Sequence, residues 1–174
     1  SFNNELGTIP VTLLTLDQTN WLTQLNADRA TWSAPPLVFD EILVEGARHW
    51  ASYMAANGWY SQTCPASDTT CQNAVGFETA AGGTYTATGS NIDGEAPPST
   101  WLTAEQRFMA EAARCPGPVN PATCPISAAP DFLNIVNPNF IWTGLAEAPH
   151  GKGYTIINPF VDYYDQEFAT PIHQ

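Results

Sequence analysis

Two carboxylates, Glu105 and Asp131, are the side chains best suited to acid–base chemistry. A protonated and an ionised carboxyl facing each other across a cleft can open a glycosidic bond. The plain alternative is a solvated Glu105 on a helix and an Asp131 favoured by a helix N-terminus. Ser90 with His49 or His150 and an aspartate would compose a nucleophilic triad. No strand–turn–helix elbow surrounds Ser90, so it reads as a turn serine. His49 follows Glu45 by four positions, which allows a pair on one helix face. His150 falls in a predicted turn, Pro149 to Gly153, and His173 in a tail, and neither is assigned a role. Asp93-Gly94-Glu95 has part of a calcium loop without its regular oxygen spacing, and Asp162, Asp165 and Glu167 form an acidic patch that reads as solvated. Trp59, Tyr60, Tyr163 and Tyr164 stand in loop-like contexts where they could present an aromatic surface to a ligand.

The 4 cysteines fall into two tight pairs, Cys64 with Cys71 and Cys115 with Cys124, inside stretches rich in Pro, Thr, Ser and Asn. Four cysteines allow three connectivities, and two local disulfides are the natural reading. The rival is a zinc site, for which spacings of about two to four residues and neighbouring histidines are usual. Disulfides place the chain in an oxidising compartment, secreted, extracellular or periplasmic.

The elements that position these residues begin with a helix from about Thr15 to Trp32, ended by Pro35-Pro36. Asp40 then caps a second helix in which Ile42, Leu43, Ala47, Trp50, Ala51 and Met54 recur at helical spacing until Asn57-Gly58. Residues 62–86 read as a long loop with at most short strands near 75–79 and 85–88. After turn signals at Asp93-Gly94 and Pro97-Pro98, a third helix runs from about Ser99 to Ala113, and a short one from about Pro130 to Val136. The last third switches period: 140–146 and 154–157 read as two strands of a hairpin. Helices first and paired strands late predict an α+β fold.

Seventeen acidic against 5 basic residues give a net charge of -12, and Lys152 is the only lysine. No cationic stripe is available for a phosphate backbone or an anionic membrane, so nucleic acid is excluded as a partner. With 44% hydrophobic and 13% charged residues the chain is a folding sequence. It has no apolar run of the ~20 residues a transmembrane helix needs and no basic-then-apolar leader, and Ser1 reads as the start of a processed product. The 174 residues read as one domain with its core at roughly 16–160.

Several segments, in order, resemble the CAP superfamily of cysteine-rich secretory proteins, antigen 5 and pathogenesis-related proteins, whose unit is the SCP domain. They are Leu25-Asn26-Ala27-Asp28-Arg29, Ala34 to Asp40 with Leu43 and Ala47, Tyr53 to Gln62, Gly89-Ser90-Asn91-Ile92, Trp101 with Glu105, Asp131 to Val136, and Trp142 to Ala146 with Tyr154 to Phe160. The resemblance implies an α-β-α sandwich of three or four helices around a small antiparallel sheet. It also implies a central cleft of two histidines and two glutamates that in some members holds zinc. At the matching positions stand Gln62 for the first His, Ser90 for the first Glu and Asp131 for the second His; Glu105 alone keeps its type, one residue further from Trp101 than the pattern has it. Lacking an imidazole or thiolate, this set gives zinc little reason to bind, and no metal or other cofactor is expected. The expected function is a secreted, non-catalytic binding domain with a degenerate cleft, its ligand a lipid, sterol, glycan, other small molecule or protein. The alternative is an extracellular hydrolase using Glu105 and Asp131, with or without a divalent cation.

Overall fold

The computed structural model describes residues 14–153 and 160–172. The first helix, α1 (Leu16–Thr31), opens on a capping box in which Thr15 and Gln18 satisfy each other's backbone N–H groups. Asp40 caps α2 (Glu41–Asn57) through Leu43 N, and Gly58 ends it at φ 61°, a left-handed geometry that glycine adopts without strain. The remaining elements are β1 (Val38–Phe39), α3 (Ala74–Ala80), β2 (Tyr85–Glu95), α4 (Trp101–Ala110), which runs on into a 3-10 turn over Glu111–Arg114, α5 (Pro130–Val136), β3 (Trp142–Lys152) and β4 (Phe160–Pro171). Both disulfides join the expected partners, Cys64–Cys71 and Cys115–Cys124.

The sheet has the order β1-β3-β4-β2; β3 and β2 are antiparallel to β4, and β1 pairs with β3 in parallel. It is therefore mixed, and five α-helices flank it among the described residues. Alternation along β4 feeds two separate layers. Tyr164 and Phe168 face the larger core, built from α1, α4 and α5 around Trp21, Leu25 and Phe132. Val161 and Tyr163 face the smaller one beneath α2 and α3, around Trp50 and Met54. The α2 helix approaches closest at Gly144, where a Cβ would overlap the Leu43 carbonyl. Arg29, wholly buried, ties the larger core together: its guanidinium donates to the carbonyls of Pro35 (2.7 Å), Ile135 (2.5 Å), Asn137 (3.0 Å) and Phe140 (3.1 Å).

Several expectations need correction. The segment 75–79 is helical, because Asn73 accepts from Gly76 N and caps α3. Asp93-Gly94 lies inside β2, paired with Tyr164 and Tyr163, and residues 149–152 continue β3 across a bulge between Ala148 and Gly151. The partner of β3 is 160–171; the expected strand at 154–157 lies outside the described residues. Finally, Asp162, Asp165, Glu167, Tyr163 and Tyr164 are at most 4% exposed, neither a solvated acidic patch nor a ligand-facing surface.

Candidate functional site

Three of the four singled-out residues are brought together by a chain of amide hydrogen bonds. Gln62, in the connection after α2, donates Nε2 to the Ser90 carbonyl at 2.9 Å. Asn134 of α5 reaches the same carbonyl at 3.3 Å and Asn91 Oδ1 at 2.9 Å. Asn91, fully buried on β2, donates Nδ2 to the Asp131 carbonyl and to Gln166 Oε1, each at 3.0 Å. The connection after α2, strand β2 and α5 thus enclose a cavity of about 520 Å3, lined by Gln62, Ser90 and Asp131 with Trp50, Asn73, Val75 and Asn134. Ile126, 62% exposed, stands at its rim.

Glu105 is not among the lining residues. It is 1% exposed inside the larger core, where Oε2 accepts from Trp21 Nε1 at 2.8 Å and Gln166 Nε2 at 2.5 Å. Burial pushes its pKa up to about 8 against the opposing pull of the Trp21 bond. It is a strut between α1, α4 and β4. A carboxyl pair facing across one cleft, as glycoside hydrolysis needs, is absent from the arrangement of Glu105 and Asp131.

Asp131 is half-buried at the start of α5, and burial, then the Glu111 carboxylate, pushes its pKa up to about 7. Glu111 itself accepts from Asp131 N (2.8 Å) and Phe132 N (3.4 Å), capping α5 from outside its own segment. Asp131 also borders a smaller hollow of about 210 Å3 with Tyr60, Asp93 and Arg107. Arg107 pairs there with Glu95 and, at 3.8 Å, with Asp93, whose pKa burial raises to about 6.

Ser90 lines the cleft as a strand residue, and the other candidates lie apart from it. The Ser90 Oγ donates a long 3.5 Å bond to Asp165, and among the described residues it makes no hydrogen bond to an imidazole. His49 does not pair with Glu45, which takes Arg48 instead; its ring stacks on Phe77 at 4.6 Å and its Nε2 lies 2.7 Å from the Gln72 carbonyl. His150 sits at φ 55° in β3 with its N–H on Asp162, and His173 lies outside the described residues. Trp59 donates to the Thr63 carbonyl, and Tyr60, 42% exposed, to the Ile92 carbonyl. Sequence reasoning missed Asn134 and Asn73 as lining residues. Asn134 was legible, since it follows Asp131 by three positions on one helix face.

The zinc set implied by the resemblance does not fit these residues. Gln62 offers a neutral amide in place of an imidazole, the Ser90 hydroxyl points to Asp165, and Asp131 is the one carboxylate of the three. Among the described residues no group of three or more His, Cys, Asp or Glu side chains converges to hold a metal ion, and no helix is long and apolar enough to cross a membrane.

The family model described as the cysteine-rich secretory protein family, CAP, matches residues 22–164. No curated protein sequence matches at a meaningful level. Among solved structures, an outer surface protein of Borrelia burgdorferi superposes with a TM-score of 0.61 at 12% identity, over 89% of this chain and 92% of that one. An extracellular protein of Bacillus anthracis containing an SCP domain gives 0.57 at 17% identity, over 94% of this chain and 45% of that one. Schistosoma mansoni venom allergen-like protein 4 gives 0.54 at 14% identity, over 90% of each chain. At such identities the likeness concerns the fold, here an α+β arrangement of helices on a mixed sheet.

Proposed function

The chain belongs to the cysteine-rich secretory protein (CAP) family, and from that premise we propose that it is a secreted, non-catalytic binding domain whose cleft takes an uncharged, hydrogen-bonding ligand of glycan type. The observation that carries this reading is the cleft's lining. Amides and hydroxyls from Gln62, Asn73, Ser90 and Asn134 alternate with the apolar Trp50, Val75 and Ile126. Among the described residues no Lys or Arg lines it, so a phosphate or carboxylate ligand would lose hydration without gaining a counter-charge. A polyhydroxylated ligand can exchange water for side-chain amides at little cost and rest its apolar faces on Val75 and Ile126. The two disulfides and the extracellular SCP-domain neighbour agree with secretion.

The test is a binding screen of neutral glycans, fatty acids, sterols and extracellular protein extracts on the oxidised protein, run beside Val75→Trp. Val75 is 40% exposed on α3, so a larger side chain there fills the cleft without entering the core. The reading predicts saturable glycan binding that Val75→Trp removes. Binding confined to fatty acids or sterols, or glycan binding indifferent to Val75→Trp, refutes it.

A further inference from the structure

Behind the cleft, on the sheet face covered by α2 and α3, three carboxyls meet without a cation. Glu78 of α3 is 1% exposed, and Asp165 and Glu167 of β4 are 0% exposed. Both oxygens of Glu78 and Oδ2 of Asp165 meet no hydrogen-bond donor from another residue, and the Ser90 hydroxyl is shared between Asp165 and Glu167. Among the described residues their surroundings supply no positive charge. From α2 come Asp40, 8% exposed at the N-cap, and Gly46, where a Cβ would stand 2.5 Å from Glu78 Oε1. His49 of the same helix is occupied by Gln72 and Phe77, and Arg48 turns to Glu45 and Gln18. From β2 come Tyr85, whose hydroxyl donates to Asp40 Oδ1 at 3.0 Å, and Ser90, at 3.5 Å from Asp165. From β3 come Gly144 and Ala146, the register partners of Glu167 and Asp165.

Three unpaired anions cannot share a dry site; buried carboxyls without counter-charges stay neutral by keeping their protons. Asp165 and Glu167 lie within hydrogen-bonding reach of each other, so a proton carried by one of them is the link that joins the pair. We propose that Glu78, Asp165 and Glu167 form a proton latch: protonated, they let α3 lie on α2 and close one wall of the cleft, and their deprotonation lifts α3 and opens it. The wall in question is the Asn73–Val75 start of α3, which lines the cleft beside Trp50. As regulation of that site, the latch rests on the reading of the cleft as a ligand pocket.

The sign follows from linkage. Burial, then Glu167 and Asp40, raises the Glu78 pKa to about 9, and burial raises both Asp165 and Glu167 well above the ordinary range. Closed α3 holds a proton that open α3 releases, so closure is favoured fully below the ordinary carboxyl pKa and is lost as pH rises through about 9. Each proton released on opening raises the opening constant about ten-fold per pH unit within that window.

The experiment is hydrogen exchange of the α3 amides in the full oxidised chain from about pH 6 to 8, corrected for intrinsic base catalysis, in the wild type and in Glu78→Gln. Expected is an α3 protection that falls about ten-fold per pH unit for each proton released in the wild type, with a slope lower by about one proton in Glu78→Gln, while α5 amides show no such slope. A pH-independent α3 protection, or an undiminished slope in Glu78→Gln, overturns the latch. If Glu78→Gln does not fold, the wild-type series decides alone. No ligand enters this measurement. A latch that works beside an empty glycan screen refutes only the ligand reading; glycan binding beside a flat α3 profile refutes only the latch.

Discussion

Replacing Gly144 with alanine tests how closely α2 rides on the sheet. The added Cβ overlaps the Leu43 carbonyl and stands 2.5 Å from Val44 N, all of it helix backbone, so no side chain can swing aside and α2 itself must lift. The cost can be worked from what α2 buries. Leu43, Val44, Trp50 and Met54 are at most 1% exposed, and at about 1.5–3 kcal/mol each their burial supplies roughly 6–12 kcal/mol. A gap of about 0.5–1 Å forfeits roughly a quarter to a half of the contact energy, which gives a loss of about 3 kcal/mol. For a domain of this size that lowers Tm by about 6–12 °C. Urea unfolding followed by circular dichroism reads the loss, with an unchanged m-value as the sign that the native state remains compact. A loss below about 0.5 kcal/mol would mean that α2 is not pinned at Gly144, and the geometry of the cleft wall built on Trp50 would lose its support.

Two further outcomes follow from named contacts. Arg29→Ala leaves four carbonyl acceptors facing a void and costs about 3–5 kcal/mol by urea unfolding. Arg29→Lys recovers little of that, because a single ammonium cannot span acceptors on both the Pro35 turn and α5; full recovery would contradict the clamp. Asp131, with its pKa at about 7, contributes stability that is fully present below the ordinary aspartate range and is lost as pH rises through neutrality. Glu111→Gln removes the carboxylate that faces it and lowers the Asp131 midpoint in a carboxyl-carbon NMR titration; an unmoved midpoint would refute the assigned cause.

The sequence made α1, α2 and α5 legible because each carries a local signal that tertiary context does not override. Thr15 and Asp40 are caps, Gly58 is a stop, and Pro130 starts a helix at a position where its missing N–H does no harm. The cysteine pairs were readable for the same reason, each closing a short local loop. What misled was polarity. Asp162, Asp165 and Glu167 read as a solvated acidic patch, yet they lie in β4 with their side chains buried in the sheet's two layers. Hydropathy scores a carboxyl as charged, whereas burial without cations makes it a neutral hydrogen-bonding group. The same error hid Glu105 in the core. Beyond the strand read at 85–88, the rest of polar β2 read as turns, because one side of the strand borders the cleft and several of its residues stay exposed. Of the cleft, Gln62, Ser90 and Asp131 were named from the family pattern; Asn73 was hidden with the helix it caps.

The cleft offers amide, hydroxyl and carboxylate where the family pattern has imidazole and glutamate, a set suited, in the proposed reading, to an uncharged ligand and not to a transition metal. Titration calorimetry of zinc into the oxidised wild type and into the triple variant Gln62→His, Ser90→Glu, Asp131→His tests it most directly. The account predicts saturable zinc binding in the triple variant alone; zinc held as tightly by the wild type would contradict it.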